Sequence, residues 1–134
     1  MINYTTKTFK IRYSETDQMG FAHHSNYLNY FELARIEWLN SIGFSYTKLE
    51  KQGIVMPVVS ANIKYKSPAF FEDLLRIKLS IDEIPKATVN INYIIVNESQ
   101  KVLASGSTTL AFLKRKAKQP VRCPQELLEI IESL

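Results

Sequence analysis

The chain has 134 residues, 46% hydrophobic and 22% charged, the balance of one folded domain (1–134) with a single core. Its net charge of +4 owes much to Lys114, Arg115, Lys116 and Lys118. No RNP-type aromatic pattern, zinc-finger spacing or helix-turn-helix signal accompanies them, so the cluster reads as a solvated strand end and nucleic-acid binding is not expected.

The opening residues hold no apolar run of signal-peptide or membrane-span length, so a cytoplasmic protein with no membrane span is expected. Cys123 stands alone, which rules out an internal disulfide or a cysteine zinc site. Residues 6 to 14 alternate Phe9, Ile11 and Tyr13 against Lys10 and Arg12, which predicts a half-buried strand. Its end leads into Y-S-E-T-D-Q-M-G-F-A-H-H-S-N-Y, residues 13 to 27. That run carries the carboxylate of Asp17 through a turn at Gly20 to a helix start. Chemistry at an acyl carbon needs a group that attacks or activates water, and donors for the oxygen that becomes negative. An aspartate three residues before a glycine is also a common turn residue bonding its own backbone. Gly20 supplies a positive φ or lets substrate pass close to the main chain.

From Ser25 or Asn26, both good N-caps, a helix is predicted to about Ile42, with Gly43 as its stop. Tyr27, Leu28, Phe31, Ala34, Trp38, Leu39 and Ile42 form one apolar stripe, and Tyr30, Leu33 and Ile36 add apolar character elsewhere, so more than one surface should cover this helix. Arg35 falls inside the stripe and is expected to pair with Glu32 or another carboxylate. A short second helix is possible within Tyr46 to Gln52. Four strands follow: Val59 to Lys66, Leu75 to Asp82, the segment of Val89, Ile91, Tyr93 and Ile95, and Val102 to about Lys114. The third and fourth are joined by a turn at Asn97-Glu98-Ser99-Gln100. Pro124 opens a short amphipathic helix with Leu127, Leu128, Ile130 and Ile131. The expected class is α+β, a five-stranded antiparallel sheet curled about a central helix. Its open edges favour pairing with an identical chain.

Thr16-Asp17 with Gly20, His24, Asn26 and Tyr27, followed by Y-L-N-Y-F-E-L-A-R, resembles the hotdog-fold acyl-CoA thioesterases of the 4-hydroxybenzoyl-CoA thioesterase group, nearest the Tol-Pal-associated branch. The likeness extends through G-I-V-M-P-V-V-S-A-N-I-K-Y (53–65) and S-P-A-F-F-E-D (67–73). It implies a hotdog fold, dimers often paired into homotetramers, and active sites at subunit interfaces. It also implies that Asp17 is the catalytic carboxylate and that the helix N-terminus, around the N–H of His24, meets the thioester oxygen. The imidazole of His24 is a second catalytic candidate, since the branch usually carries His there and some other relatives Tyr. His23 is expected in the pocket wall, Asn26 and Tyr27 at the helix entry and pocket lining, and Ser60 near the acyl group. Lys64, Lys66 and Lys86 are possible contacts for coenzyme A phosphates.

Two adjacent histidines without further ligands do not make a metal site, and no cofactor is expected. The implied activity is hydrolysis of an acyl thioester of coenzyme A, or of an acyl carrier protein, with Asp17 as nucleophile or general base. The alternative is a non-catalytic acyl-thioester-binding or partner-docking module, which has no need of a carboxylate beside the glycine turn. A hotdog dehydratase would require a histidine on the central helix, where this chain has Glu32 and Glu37.

Overall fold

The computed structural model describes residues 2–134. Strands β1 (Ile2–Thr5) and β2 (Phe9–Lys10) precede two single 3₁₀ turns, Tyr13–Glu15 and His24–Asn26, the second running into helix α1 (Tyr27–Ser41). Next come α2 (Tyr46–Lys51), β3 (Ile54–Val55), β4 (Val58–Tyr65), β5 (Leu74–Ile81), β6 (Thr88–Asn97) and β7 (Val102–Ala111). The hairpin of β8 (Leu113–Lys114) and β9 (Gln119–Pro120) leads to α3 (Gln125–Glu132). The main sheet has the order β1-β5-β6-β7-β4 with β2 also paired to β5, and every pairing is antiparallel.

Period-2 patterning accounts for the sheet's centre. Leu75, Ile77, Leu79 and Ile81 on β5 and Val89, Ile91, Tyr93 and Ile95 on β6 are all buried, while Arg76, Lys78 and Asn90 are exposed. Helix α1 covers that face through Tyr27, Tyr30, Phe31, Ala34, Trp38 and Leu39. Phe31 stacks on Tyr93 with ring centres 4.2 Å apart and planes 6° from parallel. Gly106 makes this approach possible, because a Cβ there would collide with the carbonyl oxygen of Asn62 and the Phe31 ring.

Of the strand predicted over residues 6 to 14 only Phe9–Lys10 forms, and the strand β1 lies before that span. Between β1 and β2 the Thr6 hydroxyl accepts the Ile77 N–H (3.0 Å), and beyond Ile11 the chain turns at Tyr13–Glu15 instead of extending. The Glu15 carboxylate accepts the Arg12 N–H at 2.7 Å, a local bond that overrides the alternation and leaves Tyr13 exposed against Phe71. The last long strand likewise ends at Ala111, where buried Phe112 separates it from β8. Lys114, Arg115, Lys116 and Lys118 are exposed around the β8–β9 hairpin.

Arg35 is buried but pairs with no carboxylate. Its Nε donates to the Tyr46 hydroxyl (3.3 Å) and one terminal nitrogen to the Tyr93 hydroxyl (3.1 Å), which also bonds the Thr108 hydroxyl (2.7 Å). Burial works against the charge, yet the two tyrosines hold its pKa above the ordinary arginine value. The outer side of α1 is uncovered within one chain, with Leu33 and Ile36 exposed; Leu28, expected in the core stripe, is exposed beside them, and Tyr30, expected on the outer side, is buried instead.

Strand β4 is one of the main sheet's two edges, β1 being the other. None of its eight residues is fully buried, although it carries Val58, Val59, Ala61, Ile63 and Tyr65. Cys123 lies at the other extreme: burial pushes its thiol up to about 12. Alkylation by iodoacetamide at pH 8 should therefore be negligible in the native protein and complete after unfolding, checked by mass spectrometry of the modified chain.

Candidate active site

The segment from Thr16 to Ala22 closes as a small hairpin in which Thr16 and Ala22 bridge, Asp17 N–H donates to Phe21 O (3.0 Å) and Gly20 N–H to Asp17 O (3.0 Å). Gly20 has φ +87°, a conformation that side-chain-bearing residues seldom adopt, which decides why glycine stands there. Ala22 N–H donates to Ala69 O (2.7 Å) and Phe21 bridges Phe70, so the hairpin is sewn to the segment before β5.

Asp17 does form the expected turn bond: its Oδ1 accepts Met19 N–H at 2.8 Å. That bond fixes the carboxylate's direction. The other oxygen, Oδ2, has no hydrogen-bond partner among the described residues and remains available for chemistry. Asp17 and His24 both line a cleft of about 300 Å³, together with Met19, Phe21, Ala22, Tyr27, Tyr65, Lys66, Ser67 and Pro68.

At the helix start neither Ser25 nor Asn26 caps through its side chain. The cap is His23, whose Nδ1 accepts Ser25 N–H at 3.2 Å. Asn26 N–H donates to His23 O (3.0 Å) and Tyr27 N–H to His24 O. Three of the four successive donors at this turn are thereby occupied. The N–H of His24 has no acceptor among the described residues, which makes it the free donor on a residue lining the same cleft as Asp17.

The cleft has an aromatic wall. Tyr65 meets Tyr27 edge-on at 5.0 Å between ring centres and His24 at 6.4 Å, and its hydroxyl donates to His24 O at 3.3 Å. Burial and the neighbouring Tyr65 raise the Tyr27 pKa, so its hydroxyl stays protonated at neutral pH. Phe21 and Phe70 pack edge to face at 6.2 Å on the side of the hairpin.

Of the residues singled out in the sequence, Asp17, His24, Tyr27 and Lys66 line this cleft. His23 and Gly20 shape it from behind, one as cap and one as turn. The side chain of Asn26 is committed elsewhere, its Nδ2 donating to Glu15 O at 2.8 Å. Ser60 and Lys64 lie on the open strand β4, exposed and outside the cleft lining. Lys86 lies at the opposite end of the sheet, beside the start of β6, with its N–H bonded to Thr88 O. Sequence reasoning missed Tyr65 and Phe21 as lining residues. Phe21 had a signal in its place within the motif, whereas Tyr65 reaches the cleft from a strand 41 residues beyond the carbonyl it bonds. Among the described residues no group of three or more His, Cys, Asp or Glu side chains could hold a metal ion.

Comparison with known proteins identifies the family. The family model of the thioesterase-like superfamily matches residues 11–131. An Aquifex aeolicus protein carrying a provisional esterase name is 35% identical over 92% of this chain and 94% of its own. The acyl-CoA thioesterase YbgC of Haemophilus influenzae is 29% identical over 88% of this chain and 87% of its own. The crystal structure of a DHNA-CoA thioesterase from Staphylococcus aureus superposes with a TM-score of 0.93 at 33% identity, covering 99% of this chain and 91% of that one. A match over this much of the chain, in sequence and in the antiparallel sheet with its central helix, establishes that the protein belongs to the thioesterase-like superfamily and has the hotdog fold.

Proposed function

We propose that this thioester hydrolase cleaves an acyl-CoA to the free acid and coenzyme A, with Asp17 as the reacting carboxylate and the His24 N–H as the donor to the thioester oxygen. The observation that carries this reading is the shared cleft, where a carboxylate with one unengaged oxygen and a backbone N–H with no acceptor belong to residues lining the same space. A thioester carbon bound between them would be attacked while its oxygen gains negative charge beside the helix N-terminus. By one route Asp17 Oδ2 adds to the carbonyl carbon, the C–S bond breaks, coenzyme A leaves as thiolate, and water hydrolyses the mixed anhydride. By the other, Asp17 takes a proton from water, hydroxide adds, and the tetrahedral intermediate expels the same thiolate.

The aromatic wall of Phe21, Tyr27 and Tyr65 favours a compact acyl group, aromatic or short and branched, over a long extended chain. The similarity to a DHNA-CoA thioesterase points the same way. We take the working form to be a homodimer, or a pair of dimers, joined along the open edge of β4. An exposed eight-residue edge with Val58, Val59 and Tyr65 uncovered is the kind of surface that a second copy removes from water. Antiparallel pairing of two β4 strands about a two-fold axis would set the Val58 end of one copy beside the Tyr65 end of the other. Ser60 and Lys86, toward the Val58 end of the second copy, then become the natural candidates for acyl and coenzyme A phosphate contacts, while Lys64 stays beside Tyr65 near the cleft of its own chain. Acyl carrier protein thioesters are the competing carrier. The setting we assign is the cytoplasm, with no bound cofactor.

The test is thiol release from a panel of aromatic, branched and straight-chain acyl-CoAs and acyl carrier protein thioesters. Turnover should be greatest with a compact acyl-CoA, and release from no member of the panel would leave the binding-module reading in its place. In the same assay His24→Ala should lower kcat by less than about tenfold, because the backbone donor survives the loss of the imidazole. A loss comparable to that of removing Asp17 would make the ring itself an acid, base or donor.

A further inference from the structure

Asn26 stands at the N-cap position of α1 and does not cap it. Asparagine there ordinarily turns its side-chain oxygen back to an N–H of the first turn. Here the backbone of Asn26 is already helical (φ −78°, ψ −17°), no side-chain cap bond forms, and the amide is directed to Glu15 O at 2.8 Å. The same carbonyl accepts His23 N–H at 2.8 Å. Glu15 is itself fixed, since its carboxylate accepts Arg12 N–H (2.7 Å) and lies 3.6 Å from the Arg12 guanidinium, with only 14% of the side chain exposed. Two residues after Glu15 comes Asp17.

We infer that Asn26 is a positioning residue, tying the turn that bears the His24 N–H to the arm that bears Asp17 so that donor and carboxylate keep a fixed separation. This rests on the proposed roles of Asp17 and His24. Two consequences of the geometry support it. Asn26 is outside the cleft lining, so its amide acts through the backbone and does not touch the acyl group. Its bond joins residues 11 apart in sequence and, together with the His23 N–H bond to the same carbonyl, bridges the two halves of the site, whereas the other bonds of the turn are local or come from Tyr65 on β4. A displacement of about 1 Å between reacting groups is enough to cost on the order of 100-fold in rate.

The variants are Asn26→Ala, which deletes the amide, and Asn26→Asp, which keeps its shape but faces Glu15 O with a second acceptor. Relative to wild type, kcat in thiol release should fall about 10- to 100-fold in both, with KM within about twofold and inhibition by free coenzyme A unchanged. Amide hydrogen exchange at residues 23–27 should quicken about tenfold or more in both, while exchange in β5 and β6 stays as in wild type. Unchanged kcat overturns the inference whatever the exchange shows, and so does a raised KM with kcat preserved, which would make Asn26 a substrate contact. If wild type releases no thiol from any thioester, the proposed function fails, and exchange decides separately: unaltered rates at 23–27 in both variants then overturn the tie itself. Should Asn26→Ala fail to fold, the shape-conserving Asn26→Asp carries the same comparisons.

Discussion

Replacing Asp17 by Asn removes turnover, by about 100- to 10,000-fold in kcat, and leaves the fold intact. The reason the second half holds is the Asx turn. Asparagine keeps an oxygen in the place of Oδ1 to accept Met19 N–H, and the hairpin bonds of Asp17 N–H to Phe21 O and Gly20 N–H to Asp17 O are made by the main chain. The reason the first half holds is chemical, since a neutral amide neither adds to a thioester carbon nor takes a proton from water at neutral pH. Thiol release on the best substrate of the panel, with circular dichroism and melting temperature as controls, makes the comparison. Activity within a few-fold of wild type would exclude Asp17 from both routes. A single turnover in ¹⁸O-labelled water then tests the anhydride: label in the Asp17 side chain marks an anhydride that water opens at the Asp17 carboxyl carbon, whereas label confined to the released acid fits general-base hydrolysis or an anhydride opened at the acyl carbon.

Much of this site was legible before any coordinates, because its parts are close in sequence. Asp17, Gly20 and His24 lie within one motif, and the turn, the positive φ and the helix start each follow from local chemistry that residue types announce. The central strands were legible for a similar reason, since period-2 alternation in β5 and β6 reflects one face against α1. What escaped is what depends on contacts across the fold. Residues 6 to 14 alternate like a strand, yet Thr6 bonding to Ile77 and Glu15 bonding to Arg12 leave only Phe9–Lys10 as strand in that span, with a turn after it. The place of Arg35 in the apolar stripe predicts a carboxylate partner, but its partners are hydroxyls from α2 and β6, 11 and 58 residues away. The helix start offered Ser25 and Asn26 as caps, and competition among side chains gave the role to His23. That outcome bears on the proposed oxyanion contact, because it leaves the His24 N–H, not a general row of donors, as the open position among the described residues.

Placing lysines at two positions of the open edge, Val59→Lys with Ala61→Lys, should convert the assembly to monomers and abolish most turnover, although neither residue touches the cleft of its own chain. Both side chains are exposed within one chain, so the fold should tolerate the change at a cost of about 0.5 kcal/mol or less per site. Across a two-fold axis each added charge meets its own copies, and charged residues on a strand edge are a recognised means of preventing edge pairing. Chain separation at this edge would return Val58 and Tyr65 to water. It would also leave Tyr65 at a free edge, where its long bond to the His24 carbonyl is made by a hydroxyl open to water. Sedimentation equilibrium reads the mass, and thiol release reads the activity of the same samples. A monomeric double variant with wild-type turnover would place the whole site within one chain and remove Ser60 and Lys86 of a second copy from consideration. A dimer that persists with the lysines in place would move the interface away from β4, and the uncovered side of α1 would then be the surface to substitute next.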